Sequence, residues 1–157
     1  MTFSFPASWD RPGLEEFEFE GFIPLIGLDV SLLPPRRGMY VVLREARSAP
    51  VFLATNPITR REPYPIERLE KKVTRGHEIV YIGSTDGAGG LRDRLGVFST
   101  QSSSHTGGRA LWQLNDARKL IAAWKETPTE ASGVVESRWL LEFKREHGAY
   151  PLANWRS

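Results

Sequence analysis

Two charged residues stand where amphipathic helices ordinarily place aliphatic side chains. Advancing about 100° per residue along a helix predicted over residues 132–147 puts Val135, Trp139, Leu140 and Phe143 on one arc. Glu136 falls inside that arc, between Phe143 and Leu140. Arg138, Glu142 and Arg145 point off it toward solvent, with Leu141 an apolar exception. A second helix, predicted to begin near Leu91, carries Leu91, Leu95 and Phe98 at i, i+4 and i+7. Arg94 sits on that stripe at i+3, whereas Arg92 and Asp93 point elsewhere. Burying a lone charge costs as much as a sizeable part of a domain's stability unless a partner or a bound metal compensates it. Arg94 and Glu136 therefore either pair with each other, sit at the edge of the core, or belong to a site that handles charge.

The cluster Gly87-Ala88-Gly89-Gly90 lies between a predicted strand and that second helix, where a phosphate loop would lie. No Gly-Lys-Ser/Thr follows, and Arg92 occupies the place of the last glycine in a dinucleotide pattern. These glycines read instead as a tight turn before Leu91.

The elements that must position these residues are short. Gly38 to Leu43 and Glu78 to Gly83 are rich in β-branched and aromatic residues and read as strands. Leu120 to Trp124 reads as a third buried strand, and Val51 to Ala54 as a further candidate. Ile66 to Val73 and Ala110 to Asn115 read as short helices. The long last helix stops at Gly148, a suitable C-cap. Residues 1–34 mix aromatics with acids and read as an extension that packs on the core with little regular structure.

At 157 residues, 40% hydrophobic and 25% charged, the chain suits one soluble domain and excludes wholesale disorder. No apolar run approaches the roughly 20 residues that span a bilayer, so no membrane partner is expected. There is no cysteine, which excludes disulfides and thiolate zinc sites. The first residues have neither the basic start nor the apolar stretch of a signal peptide. The expected location is cytoplasmic. Residues 1–34 hold six acids against Arg11 alone, so the rest of the chain carries +7 of a net +2. A basic body favours a polyanionic partner.

Gly38-Met39-Tyr40 and Tyr81-Ile82-Gly83 resemble the two signature tripeptides of the GIY-YIG nuclease superfamily. The likeness continues in order through Gly90-Leu91-Arg92-Asp93-Arg94-Leu95, Val135-Glu136-Ser137-Arg138-Trp139-Leu140 and Pro151-Leu152-Ala153-Asn154. These elements together cover residues 38–154. His105 to Leu114 also resembles a segment of a bacterial subgroup of that superfamily. There are departures: Met39 replaces isoleucine, a volume-conserving change, and about forty residues separate the tripeptides where many members have a short hairpin. Phe98 stands where several members have Tyr or His, a group His105 could supply.

The resemblance implies an α/β fold of the α+β kind, with a small three-stranded, mostly antiparallel sheet flanked by helices. The domain would span residues 35–157, with an insertion over about 45–77 between the first two core strands. It implies a metal-dependent endonuclease acting on nucleic acid, DNA in the first place. Glu136 would hold one Mg²⁺ or Mn²⁺, and Arg94 would grip the scissile phosphate. Tyr40 would orient or deprotonate the water, with Tyr81 sharing that work or standing as an ordinary strand aromatic. Asn154 would order Glu136 or the site backbone, or be a plain turn residue. His105 would protonate the leaving oxygen, or be incidental in its Ser- and Gly-rich loop; His77 and His147 have no assigned role.

Arg60, Arg61, Lys71, Lys72 and Arg109 are the candidates for backbone contacts, beside Tyr64 in the insertion; a solvated helix face is the other reading of that cluster. The alternative function is a catalytically inactive module of the same fold that binds nucleic acid or protein. DNA versus RNA and a homodimeric state stay open.

Overall fold

A computed structural model describes residues 4–58, 62–100 and 108–155. Its centre is one antiparallel sheet. The chain runs α1 (Arg11–Glu16), β1 (Glu20–Pro24), β2 (Gly38–Leu43), α2 (Ile66–Glu70), β3 (Ile79–Thr85), α3 (Gly90–Ser99), β4 (Ile121–Glu126) and α4 (Ser132–His147). Short 3₁₀ turns occupy Val30–Leu32, Arg109–Gln113 and Ala117–Lys119. The strand order is β1-β4-β2-β3, and every neighbouring pair is antiparallel. Strand β2 is buried throughout because it is central and both its faces are covered.

Tyr40 and Val42 project to the face packed against Leu91, Leu95 and Phe98 of α3. Met39, Val41 and Leu43 project to the other face, against Trp139, Leu140 and Phe143 of α4. This is the two-face alternation of a central strand. Among the described residues, no helix is long and apolar enough to cross a membrane.

The sheet has four strands among the described residues, one more than the three expected. The fourth comes from residues 1–34, which also contribute α1 and bury Trp9, Leu14 and Phe19 in the α4-side core. Strand β1 escapes a periodicity search because Gly21 and Phe22 have positive φ and the ladder shifts between Gly21 and Ile23. Two other expectations change. Val51–Ala54 is no strand: Phe52 forms a single bridge to Leu114. Ala110–Asn115 is a 3₁₀ turn over Arg109–Gln113 rather than an α-helix. The last helix ends at Gly148 with φ 87°, the left-handed cap expected there.

Candidate functional site

Strand register sets the first part of the site. Tyr40 lies opposite Gly83 and Val42 opposite Tyr81, so the two tyrosines share the α3 face of the sheet. Their rings are 6.1 Å apart, and Phe98 packs 5.9 Å from Tyr40 and 5.2 Å from Tyr81. Tyr40 leans across Gly83: a Cβ on that glycine would fall 2.6 Å from the phenol oxygen. The glycine of the second tripeptide is therefore a place for the tyrosine of the first. Gly38 has a similar use, since a Cβ there would meet Leu91 Cδ1 at 2.7 Å and hold α3 off the sheet.

Glu136 approaches from the other side. Helix α4 packs on the Met39 face, and Ser84, opposite Met39, donates its Oγ hydrogen to Glu136 Oε1 at 3.1 Å. Glu136 is buried, 8% exposed. Through Ser84 it sits at the Gly83–Ser84 end of β3, an edge strand. Its charge is one of those felt by the Tyr40 phenol.

Burial is the largest influence on that phenol and pushes its pKa well above the ordinary value. The neighbouring Tyr81 acts in the same direction. The Arg94 guanidinium opposes them through its charge and a hydrogen bond to the phenol, and Glu136 adds to the rise. Tyr81 and Arg94 thus adjoin the Tyr40 phenol, and the Glu136 carboxylate is near enough for its charge to be felt there. The phenol is held neutral there, which disfavours it as a free-standing base.

Arg94 stands at the edge of the core, one of the placements that its position in the sequence left open. Leu91, Leu95 and Phe98 are buried, but Arg94 is exposed. The apolar stripe of α3 is narrow, and i+3 falls on its margin. The residue is exposed, and its guanidinium still hydrogen-bonds the Tyr40 phenol.

Asn154 is buried, 5% exposed, and its side chain behaves like a piece of strand. Its Oδ1 accepts from the Ile82 N–H at 3.0 Å and its Nδ2 donates to the Ile82 carbonyl at 2.9 Å. The Ala153 N–H adds a bond to the Val80 carbonyl at 2.9 Å. The C-terminal segment therefore closes part of the β3 edge next to Gly83, which satisfies an otherwise open ladder. Asn154 orders the backbone of the site strand.

Two residues of the site neighbourhood were not singled out in the sequence, Ser84 and Asp86. Asp86 accepts from the N–H groups of Ser132 and Gly133 at 2.7 and 3.0 Å, which hold its carboxyl below the usual range. It caps α4 from the loop after β3, and so fixes the turn that carries Glu136. The available signal was the missing cap itself: Ala131 precedes the helix and has no side chain to offer.

The glycine cluster is a turn, as expected. Gly90 has φ 62°, and the N–H groups of Leu91 and Arg92 donate to the carbonyls of Arg36 and Pro34. With the Gly90 and Asp93 N–H groups also bonded within the turn, the start of α3 has no amides to offer a phosphate.

Of the basic candidates, Lys72 lies on the Trp155 ring and Arg109 on the Tyr64 ring stacked against it, while Lys71 is exposed. Arg60, Arg61 and His105 lie outside the described residues. A polar cleft of about 600 Å³ lies elsewhere, lined in part by Arg44, Arg47, Arg75, His77 and Glu78. No predicted site residue lines it, so it is a poor guide to the chemistry.

The Ser84 hydroxyl lies beside Glu136 as a second oxygen ligand. Carboxylate and hydroxyl oxygens suit one hard divalent cation whose shell is completed by water and substrate. Among the described residues there is no group of three or more His, Cys, Asp or Glu that could cage an ion. Comparison with family models, curated proteins and solved structures finds no match.

Proposed function

We propose that this chain is a metal-dependent endonuclease of the GIY-YIG type that hydrolyses phosphodiester bonds in nucleic acid, DNA in the first place. The observation that carries the reading is the Arg94 guanidinium hydrogen-bonded to the buried Tyr40 phenol beside Gly83, with the charge of the buried Glu136 carboxylate felt at the same phenol. The order of the five sequence elements over residues 38–154 adds to it.

In this reading Glu136, backed by Ser84, would hold one Mg²⁺ or Mn²⁺. Such an ion, when bound, supplies charge stabilisation to the phosphate and lowers the pKa of water. Arg94 would bind the scissile phosphate, for which a planar guanidinium is well shaped. Its exposure leaves it within reach of a polymer lying across the site. Tyr40 would orient the attacking water; because burial holds its proton on, it becomes a base only where added positive charge offsets that burial. The water oxygen would then attack phosphorus while its proton passes to Tyr40 in its ionised form or to solvent, the bond to the leaving oxygen would break, and that oxygen would take a proton from solvent. Asn154 keeps the β3 edge in register beneath these groups.

The second reading, an inactive binding module on the same fold, draws on one observation. Tyr40 is 1% exposed and packed like a core aromatic. Incubation with plasmid, branched and single-stranded substrates, with Mg²⁺ or Mn²⁺ and with chelator, separates the two. Strand scission that stops on chelation is expected. No scission of any substrate in either metal would leave only the binding module.

A further inference from the structure

Tyr64 of the insertion and Trp155 near the C-terminus stack with ring centroids 4.4 Å apart and planes 18° from parallel. Three cations sit on this pair. The Arg109 guanidinium carbon lies 4.3 Å from the Tyr64 centroid. The Arg68 guanidinium carbon lies 4.5 Å and Lys72 Nζ 4.1 Å from the Trp155 centroid. Among the described residues, none of the three makes an ion pair with a carboxylate.

A staple made only to hold the C-terminus would do better with charges of both signs, because like charges at close range repel. That strain is visible at Lys72, whose pKa falls to about 8, through burial first and the Arg68 charge second. Lys72 Nζ is held in place by donating to the Asn154 carbonyl at 2.7 Å. The group is accessible: Arg68 is exposed, and Tyr64, Lys72, Arg109 and Trp155 are half-buried.

We infer that Arg68, Lys72 and Arg109, seated on the Tyr64–Trp155 stack, form an anion site that holds backbone phosphates of a nucleic-acid strand beside the cut. The inference rests on the nuclease reading for its substrate. Its position supports that occupant. Asn154, one residue before Trp155, bonds both peptide groups of Ile82 on the site strand. Gly108, one residue before Arg109, packs so closely on Phe98 that a Cβ would lie 2.8 Å from its ring, with Tyr81 next to it. The cluster is therefore joined to the tyrosine face at two points.

Cations rather than open ring faces are presented at Tyr64 and Trp155, so the site grips charge and does not stack bases. Affinity from this cluster is then independent of base sequence, unlike that of an aromatic platform.

The test is equilibrium binding of a fluorescent single-stranded thymidine 12-mer in chelator, where nothing is cut. The expected result for Arg68→Gln/Lys72→Gln is about tenfold weaker binding and a salt slope smaller by about 1.4, the share of two phosphate contacts on a single strand. An oligomer with neutral methylphosphonate linkages should lose the difference between wild type and variant, and an adenosine 12-mer should show the same difference as thymidine. The single variant Arg68→Gln, at an exposed position, should give about half the slope change and guards against misfolding of the pair. Unchanged affinity and slope in a folded variant overturn the site. A difference that persists on the neutral backbone, or displacement by millimolar inorganic phosphate as effective as by oligomer, overturns the polymeric backbone as occupant. Nicking activity is read separately: variants that bind normally while wild type nicks DNA sink the anion site alone, and reduced binding with no nicking sinks the nuclease reading alone.

Discussion

Arg44 and Arg94 are both arginines next to the sheet, and they are used in opposite ways. Arg44 is 9% exposed and its guanidinium is fully engaged with its own chain. It pairs with Asp116 at 2.9 Å and donates to the carbonyls of Ala46 and Ser48 at 3.3 and 2.7 Å. Arg94 is exposed, and the partner it engages is a phenol that stays neutral. The first arrangement satisfies a buried cation. The second leaves most of a cation's binding capacity for something that arrives. A large cleft lies beside Arg44, and none of the proposed site residues lines it.

That contrast can be broken most heavily at Arg44. Arg44→Ala leaves Asp116 without its partner and should cost about 3 kcal/mol of stability, measured by urea unfolding. Cleavage per folded molecule should not change. Arg94→Lys should do the reverse: about a hundredfold slower cleavage with little change in the unfolding midpoint, because a lysine keeps the charge but not the fork. If both variants lose stability alike, Arg94 is structural and the distinction fails.

Gly83→Ala should come next, losing both properties in smaller measure. The new methyl meets the Tyr40 ring and should cost about 1 to 3 kcal/mol as overpacking, with slower cleavage as Tyr40 shifts. A crystal structure of that variant with Tyr40 unmoved would remove the glycine from the account.

The smallest effect belongs to His77, on the Arg44 side. Its Nδ1 accepts from the Ile79 N–H at 3.0 Å, so the neutral ring carries its proton on Nε2, 2.6 Å from Thr74 Oγ1. Burial, and then the neighbouring His147, lower its pKa from 6.5 to about 4. Arg75 and Glu78 adjoin it along the cleft, and the Phe143 ring packs 4.6 Å away. The unfolded chain therefore binds a proton more readily than the fold does. Stability from this group is complete above about 6.5 and is lost as pH falls toward about 4. His77→Gln should flatten that part of the stability profile relative to wild type; parallel profiles would show that His77 is not its source.

Much of this frame was legible because it rests on local pattern. Strands β2, β3 and β4 are dense in β-branched and aromatic residues, and α4 has an apolar arc with Gly148 beyond it. Glu136 stood out for the same reason, a charge inside that arc. What escaped depends on contacts between distant residues. Strand β1 is specified by its partner β4 and contains residues at positive φ, so no alternation marks it. Asp86 caps a helix 46 positions away; Asn154 was named through the resemblance, but Ile82 as its partner, 72 positions off, was not. Arg94 was placed on its stripe correctly by angle, but angle does not say how far an arginine side chain reaches. Trp155 carried no local signal, since its meaning comes from Tyr64 and the three cations around them.

The most direct measurement compares single-turnover nicking of supercoiled plasmid by wild type and Glu136→Gln in Mn²⁺, with a melting scan on the same samples. The account predicts a wild type that nicks and a variant that melts normally and leaves the plasmid intact. Equal nicking by the two proteins would contradict it.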